Sequence, residues 1–162
     1  RFLNKGFYYL ATVSVFDAKY TGGDGITRNS KYNGNYALNF LLGKEWNIGK
    51  SGNNVFGVNL RYNLLGANRI TPVDYEASVE AEDVIYDYSR IYEEKKPGKN
   101  YVNMSITYRI NKARHSSIWA LQVMNLLGSK DVYSPNYNYI TNSVVQDEAR
   151  VVVPSISYKI EF

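Results

Sequence analysis

The chain has 162 residues, no cysteine and a formal net charge of +4, with 16 tyrosines beside 6 phenylalanines and 2 tryptophans. The lack of cysteine excludes a disulfide framework and a cysteine-based metal site. No run of about 18 apolar residues is present, which excludes a transmembrane helix. The basic residues are dispersed along the chain rather than clustered, which argues against a nucleic-acid partner.

Alternation of apolar and polar residues predicts six β-strands, because successive side chains of a strand point to opposite faces. The third strand shows this pattern most clearly, with Phe56, Val58, Leu60, Tyr62 and Leu64 separated by glycine, asparagine and arginine. The abundant tyrosines also suit strands and the aromatic girdles at a membrane surface. The predicted strands cover about residues 5–20, 35–46, 56–64, 102–110, 119–124 and 151–162.

The connections between these strands alternate long, short, long, short, long. The long ones are predicted at about residues 21–33, 66–100 and 129–149, and the short ones at 48–53 and 111–116. This alternation is typical of an outer-membrane β-barrel, which has long extracellular loops and tight periplasmic turns. Strands of about ten residues are long enough to cross a bilayer at a tilt. No internal repeat or domain boundary is evident.

Several short motifs, in order, carry a resemblance to a known family. They are Tyr20-Thr21-Gly22-Gly23-Asp24-Gly25, Asn33-Gly34-Asn35-Tyr36, Gly43-Lys44-Glu45-Trp46, Gly66 with Arg69, Thr71-Pro72 and Asp74, the strand from Tyr101 to Asn111, Leu121, Asn125 and Phe162. Together they make residues 1–162 resemble the C-terminal barrel segment of TonB-dependent outer-membrane receptors. The chain departs from that pattern at four positions, so no ligand or plug contact is transferred to them: Asn103, Ser105, Gln122 and Gly128.

The resemblance implies an all-β fold of about six antiparallel transmembrane strands, the C-terminal part of a barrel of about 22 strands. It implies a plug domain outside these 162 residues, and the start at Arg1 rather than at a methionine suggests a processed protein or a fragment. The implied function is import of a scarce ligand, such as a siderophore, haem, cobalamin or a glycan, across the outer membrane, with no enzymatic activity. The implied partners are outer-membrane lipid, the rest of the barrel, the plug, TonB through that plug, and the barrel assembly machinery.

The last predicted strand is expected to carry the signal for that machinery. Relatives present a terminal aromatic residue preceded by alternating apolar residues. The corresponding residues in this chain are Ile156, Tyr158, Ile160 and Phe162.

The predicted connection at 66–100 contains an acidic segment, from Asp74 to Glu94, with eight carboxylates against the single cation Arg90 and hence a net charge of −7. Four of its residues could offer oxygens to Ca²⁺: Glu80, Glu82, Asp83 and Asp87. The ligand spacing of an EF-hand is absent, and the alternative is a solvated, mobile loop. No other cofactor is expected.

Two other functions remain open at this stage, an outer-membrane barrel enzyme of the phospholipase or protease type and a soluble all-β binding domain. An enzyme requires a nucleophile with its base, or paired acids, at the strand ends. The only histidine, His115, lies in a predicted tight basic turn, and paired acids occur only in the acidic segment. We therefore predict no catalytic residue, and the residues that bind the ligand are not identified.

Overall fold

The computed structural model describes residues 5–50 and 52–162, which fold into β-strands and two short helices. The strands are β1 (Phe7–Val15), β2 (Lys19–Thr21), β3 (Thr27–Asn29), β4 (Tyr36–Ile48), β5 (Asn54–Leu65), β6 (Arg69–Ile70), β7 (Glu94–Lys95), β8 (Lys99–Asn111), β9 (Ser116–Met124), β10 (Lys130–Asn138), β11 (Ser143–Arg150) and β12 (Val153–Glu161). The helices are α1 (Tyr75–Ala81) and a 3-10 helix, Tyr88–Arg90.

Six strands form one antiparallel sheet in the order β1-β4-β5-β8-β9-β12. These are the six strands predicted from the alternation, and the all-β class is confirmed. The first is shorter than expected, because β1 ends at Val15 and the chain then forms the small β2–β3 hairpin. Within the described residues β1 and β12 are the edges of an open sheet.

The register of the sheet brings most of the apolar residues of the six strands onto one face, called the apolar face below, with exceptions such as Leu10 and Leu41, which lie on the face of Arg61. Leu42, Leu60, Met104, Val123 and Pro154 are successive cross-strand partners in one row of this face. A second row, nearer the end of the sheet that carries the β4–β5 and β8–β9 turns, is entirely aromatic: Trp46, Phe56, Tyr108, Trp119 and Tyr158. No hydrophobic side chain in the described part of the chain is buried, so none of residues 5–50 and 52–162 covers the apolar face.

The opposite face is mostly polar, and hydrogen bonds between side chains of neighbouring strands hold it together. Asn59 Nδ2 donates to Ser105 Oγ at 3.2 Å, and Asn39 Nδ2 donates to Thr12 Oγ1 at 3.2 Å. Such cross-strand pairs are the unit from which a sheet gains stability. The two faces therefore differ in polarity along the full width of the sheet.

Both short connections lie at one end of the sheet and all three long ones at the other, because neighbouring strands are antiparallel. Gly52 N donates to Gly49 O in the first short turn, and Lys112 N donates to His115 O in the second. We call the three long connections L1 (residues 16–35), L2 (66–98) and L3 (125–152).

L2 and L3 are more structured than the sequence predicts. L2 contains α1, which begins where the Asp74 carboxylate accepts a hydrogen bond from Ala77 N at 3.0 Å and ends at Glu82 with a left-handed φ of 52°. L3 is largely the β10–β11 hairpin, predicted as a loop. Among the described residues no helix has the length and apolar character needed to cross a membrane.

Candidate functional site

All three long connections contribute to an open cleft of about 410 Å³ at their end of the sheet. L1 supplies Lys31, L2 supplies most of the wall, including Arg69 and Lys96, and L3 supplies Pro135 and Gln146. The volume lies in the range of small-molecule sites, about 300–1,000 Å³. The cleft is therefore a candidate ligand-binding site.

Backbone hydrogen bonds within L2, and between L1 and L2, fix the backbone positions of the cationic residues of the cleft. Arg69 N donates to Lys31 O at 2.8 Å, which joins the two connections directly. Lys96 N donates to Asn68 O at 2.9 Å, and β6 pairs with β7, which ends at Lys95. Lys31, Arg69 and Lys96 are thus presented from one hydrogen-bonded backbone framework.

Two glycines bring L1 and L2 into close contact just beneath this framework. A Cβ atom on Gly66 would lie 1.7 Å from the carbonyl oxygen of Gly34, and a Cβ atom on Gly34 would lie 2.9 Å from that of Gly66. Real Cβ atoms do not approach other atoms within 3.0 Å. Glycine is therefore required for the two backbones to meet here.

The three cations of the cleft have no carboxylate partner within ion-pair distance among the described residues. Lys96 Nζ donates instead to the carbonyls of Val132 at 3.3 Å and Tyr133 at 3.2 Å. Burial lowers the pKa of the Lys96 ammonium, and the charges of Lys99 and Lys31 lower it further. Lys96 therefore lies near two other cations, Lys31 and Lys99.

Within the part of the chain that the structure describes, the guanidinium of Arg69 forms hydrogen bonds through only one of its nitrogens. Its Nη1 donates to the carbonyl of Glu93 at 3.1 Å, while its Nε is buried and has no hydrogen-bond partner. A buried donor without a partner costs about 1–3 kcal/mol. The guanidinium also carries N–H groups on its terminal nitrogens, and these, rather than the buried Nε, are the donors that a bound group could use.

Four tyrosines of L2 line the same cleft: Tyr75, Tyr86, Tyr88 and Tyr92. The rings of Tyr86 and Tyr88 are 6.3 Å apart. Tyr92 has a left-handed φ of 57°, a conformation that costs a non-glycine residue of order 1–3 kcal/mol. The cleft thus combines aromatic rings with unpaired cations.

L3 is anchored beside the cleft by a carboxylate near the base of its hairpin. Asp131 Oδ1 accepts hydrogen bonds from Lys99 Nζ and from Tyr101 Oη, both at 2.6 Å. These two donors hold the pKa of the Asp131 carboxyl below its usual range. At the other side of L3, β11 contacts α1, so L2 and L3 also support each other.

The four residues predicted to bind Ca²⁺ are spread over several local structures. Glu80 lies in α1 and Glu82 caps its C-terminus, whereas Asp83 accepts a hydrogen bond from Val84 N and Asp87 from Ser89 N. The residues that the structure describes include no group of three or more His, Cys, Asp or Glu arranged to hold a metal ion. Calcium binding therefore stays a prediction.

The predicted assembly residues lie on the edge strand β12 and just after it. Ile156 is 76% exposed on the apolar face, and the Tyr158 ring lies 4.4 Å from that of Trp119. The Phe162 ring is fully exposed, 6.3 Å from that of His115, which lies in the second short turn. Their role in assembly stays a prediction.

The four positions where the chain departs from the resembled family lie away from the cleft. Asn103, Ser105 and Gln122 occupy the polar face, and Asn103 Oδ1 accepts a hydrogen bond from Asn125 N at 2.9 Å. Gly128 has a left-handed φ of 61° in the turn that opens L3. None of these residues lines the cleft.

Sequence reasoning missed the residues that line the cleft. The high tyrosine content was noted, but only as a feature of strands and girdles. In L2, tyrosines alternate with charged residues, as in Tyr86-Asp87-Tyr88 and Tyr92-Glu93, and that pattern is the signal that could have indicated a binding surface.

No family model, no curated protein and no solved structure matches the chain.

Proposed function

We propose that this chain forms part of the wall of an outer-membrane β-barrel, and that the whole protein is a TonB-dependent importer of a scarce ligand. The observation that carries the proposal is the apolar face, which runs without interruption across six antiparallel strands. An exposed apolar surface of this extent is found where a protein meets lipid or another protein.

Three features of the sheet favour lipid as the neighbour. The six strands contain 9–13 residues, and a tilted transmembrane strand needs about 9–11. The row from Trp46 to Tyr158 has the position and composition of an aromatic girdle at a membrane surface. The short turns and the long connections occupy opposite ends, as in barrels with periplasmic turns and extracellular loops.

The open edges β1 and β12 support a larger assembly. An edge strand presents unpaired backbone donors and acceptors, which have no partner inside a bilayer unless another strand supplies them. Further strands of the same barrel would pair with both edges. The specific assignment to TonB-dependent import rests on the sequence motifs, from Tyr20-Thr21-Gly22 through Gly43-Lys44-Glu45-Trp46 to Phe162.

A pair of neighbouring substitutions on β9 tests the membrane orientation. Leu121 lies on the apolar face and Gln122 on the polar face of the same strand, so Leu121→Arg and Gln122→Arg place one charge at the same depth on opposite faces. An arginine facing lipid near the bilayer centre costs about 2–4 kcal/mol. We expect Leu121→Arg to lower the amount of folded protein in the outer membrane and Gln122→Arg to leave it unchanged.

Both side chains are exposed in this chain taken alone, so a soluble protein would tolerate both substitutions equally. Equal levels of the two variants in the soluble fraction would contradict the membrane assignment. The importer assignment has its own test, which is cross-linking of the full-length protein to TonB in cells. Correct insertion without any TonB adduct would retain the barrel and reject TonB-dependent import.

A further inference from the structure

The cleft between the long connections has a chemical character that narrows the class of ligand. Its cations come from two connections, Lys31 from L1 and both Arg69 and Lys96 from L2, and they converge on one volume of about 410 Å³. Of the residues that the structure describes, Glu94 contributes the one carboxylate that lines it. Since cations outnumber carboxylates along its walls, the cleft favours an anion.

The bonding state of these cations strengthens this conclusion. None of the three has an ion pair among the described residues, whereas Lys99, just beside them, is paired with Asp131 at 2.6 Å. The buried Nε of Arg69 has no acceptor, and Lys96 has only the two carbonyl oxygens of L3. A carboxylate or sulfate in the cleft could form charge-assisted hydrogen bonds with Lys31, with Lys96 and with the terminal nitrogens of the Arg69 guanidinium, although not with its buried Nε.

The remaining lining identifies the scaffold that would carry the anionic groups. Tyr75 and Tyr88 expose 64% and 69% of their surfaces, so their rings are open to contact. Ser134 and Gln146 of L3 add neutral hydrogen-bonding groups on the facing wall. Aromatic faces together with amide and hydroxyl groups suit a ligand with apolar C–H surfaces and many hydroxyls.

We propose that this cleft binds acidic oligosaccharides, with the sugar rings against the tyrosines and the carboxylate or sulfate groups at Lys31, Arg69 and Lys96. This inference deepens the proposed function, on which it rests, by naming the class of ligand that the importer would capture. The hydrogen-bonded framework of L1 and L2 fixes the backbone of these three residues before the ligand arrives. Preorganisation of this kind reduces the entropic cost of binding.

The test uses the full-length protein, purified in detergent, and three acidic tetrasaccharide probes, derived from polygalacturonate, from heparin and from a sialylated glycan. Titration calorimetry measures each affinity beside that of a neutral counterpart, for which the galacturonate methyl ester is the closest match. We expect at least one acidic probe to bind at least tenfold more tightly than its neutral counterpart, and the difference to shrink as salt rises.

Lys31→Gln and Lys96→Gln each remove one cation of the cleft. We expect each to weaken binding about tenfold, the effect of losing one charge-assisted hydrogen bond. Lys19→Gln is the matched control, because Lys19 lies in the neighbouring hairpin of L1, is already paired with Asp17 at 2.8 Å and does not line the cleft. It should leave the affinity unchanged.

Failure of all three acidic probes, or equal binding of the acidic and neutral members of each pair, would overturn the inference. So would equal effects of Lys19→Gln and Lys96→Gln, because the contribution would then be a general charge effect. Tight binding of 2,3-dihydroxybenzoate without any binding of the acidic sugars would indicate a small aromatic anion and would also overturn it. Membrane insertion is measured independently with Leu121→Arg and Gln122→Arg. A negative result with the sugars would therefore leave the membrane assignment untouched.

Discussion

Substitution of Gly66 by alanine tests whether the contact between L1 and L2 holds the cleft together. The added Cβ atom would lie 1.7 Å from Gly34 O, so the two backbones must part by about 1.3 Å to reach a separation of 3.0 Å. That movement would stretch the hydrogen bond from Arg69 N to Lys31 O from 2.8 Å to about 4 Å. The atoms in conflict belong to the backbone, so no change of rotamer relieves it.

The expected cost has two contributions. Overpacking costs about 1–3 kcal/mol, and the lost hydrogen bond adds about 0.5–1.5 kcal/mol. We therefore expect the free energy of local opening at this junction to fall by about 3 kcal/mol, which corresponds to a roughly 100-fold increase in the opening equilibrium. Hydrogen exchange of the Gly66 and Arg69 amides reports that equilibrium, because both amides are hydrogen bonded in the folded protein.

Two further glycines provide a graded control. Gly34→Ala places its Cβ atom 2.9 Å from Gly66 O, so a far smaller shift relieves the contact, and Gly23→Ala meets no atom within 4 Å. None of these glycines has a positive φ, so the series varies only the steric contact. Exchange of these amides should be fastest in Gly66→Ala, slower in Gly34→Ala and slowest in Gly23→Ala. Equal exchange rates in the Gly66 and Gly23 variants would refute the reasoning.

Two further predictions concern L1 and the edge of the sheet. Hydrogen bonds from the Arg28 side chain and then from Ile26 N lower the pKa of Asp24 to about 2, so the carboxylate stabilises the β2–β3 hairpin above about pH 4 and this stabilisation is lost as the pH falls towards 2. Hydrogen exchange of the hairpin between pH 5 and pH 2.5 should show the loss, and an Asp24→Asn variant should lack the pH-dependent step. At the edge, Phe162→Ala should slow insertion in cells more than it lowers stability in detergent, since one exposed ring contributes at most about 1–3 kcal/mol. Tyr36→Ala is the control, and equal insertion rates would show that Phe162 is no assembly signal.

The six main strands could be predicted because their signal is local. Each alternates apolar and polar residues, and the glycines of the first short turn and the basic residues of the second mark where the chain reverses. Once the turns are fixed, antiparallel pairing sets the register, and most of the apolar residues then fall on one face. The prediction failed at Val15, where the first strand ends sooner than the alternation does.

The hairpin in L3 was missed because its sequence conflicts with strand preferences. Pro135 cannot donate a backbone hydrogen bond, and proline inside a predicted strand argues against that strand. In the structure, the register of the β10–β11 pairing shifts between Val132 and Pro135, and this irregularity accommodates the proline. The tolerance of Pro135 depends on how β10 pairs with β11, so the sequence of β10 alone cannot predict it.

Helix α1 and the cleft were missed for a different reason, which is that tertiary contacts create them. An isolated helix of seven residues is too short to be stable in water. Here Ser78 is fully buried, and its Oγ accepts a hydrogen bond from Ile85 N at 2.9 Å, which ties the helix to the chain that follows. The cleft likewise joins Lys31, Lys96 and Gln146, residues too far apart in sequence to form a local pattern.

The acidic segment of L2 and the proposed anionic ligand are compatible, although their charges have the same sign. Of the eight carboxylates between Asp74 and Glu94, only that of Glu94 lines the cleft, whereas Glu76, Glu80 and Glu82 are exposed to solvent. Solvent-exposed charges are screened over about 8 Å at physiological ionic strength. Direct contacts with Lys31, Arg69 and Lys96 are screened much less, because they form inside the cleft. The acidic exterior should therefore slow the approach of an anion at low salt, while the cations inside determine how long it stays bound.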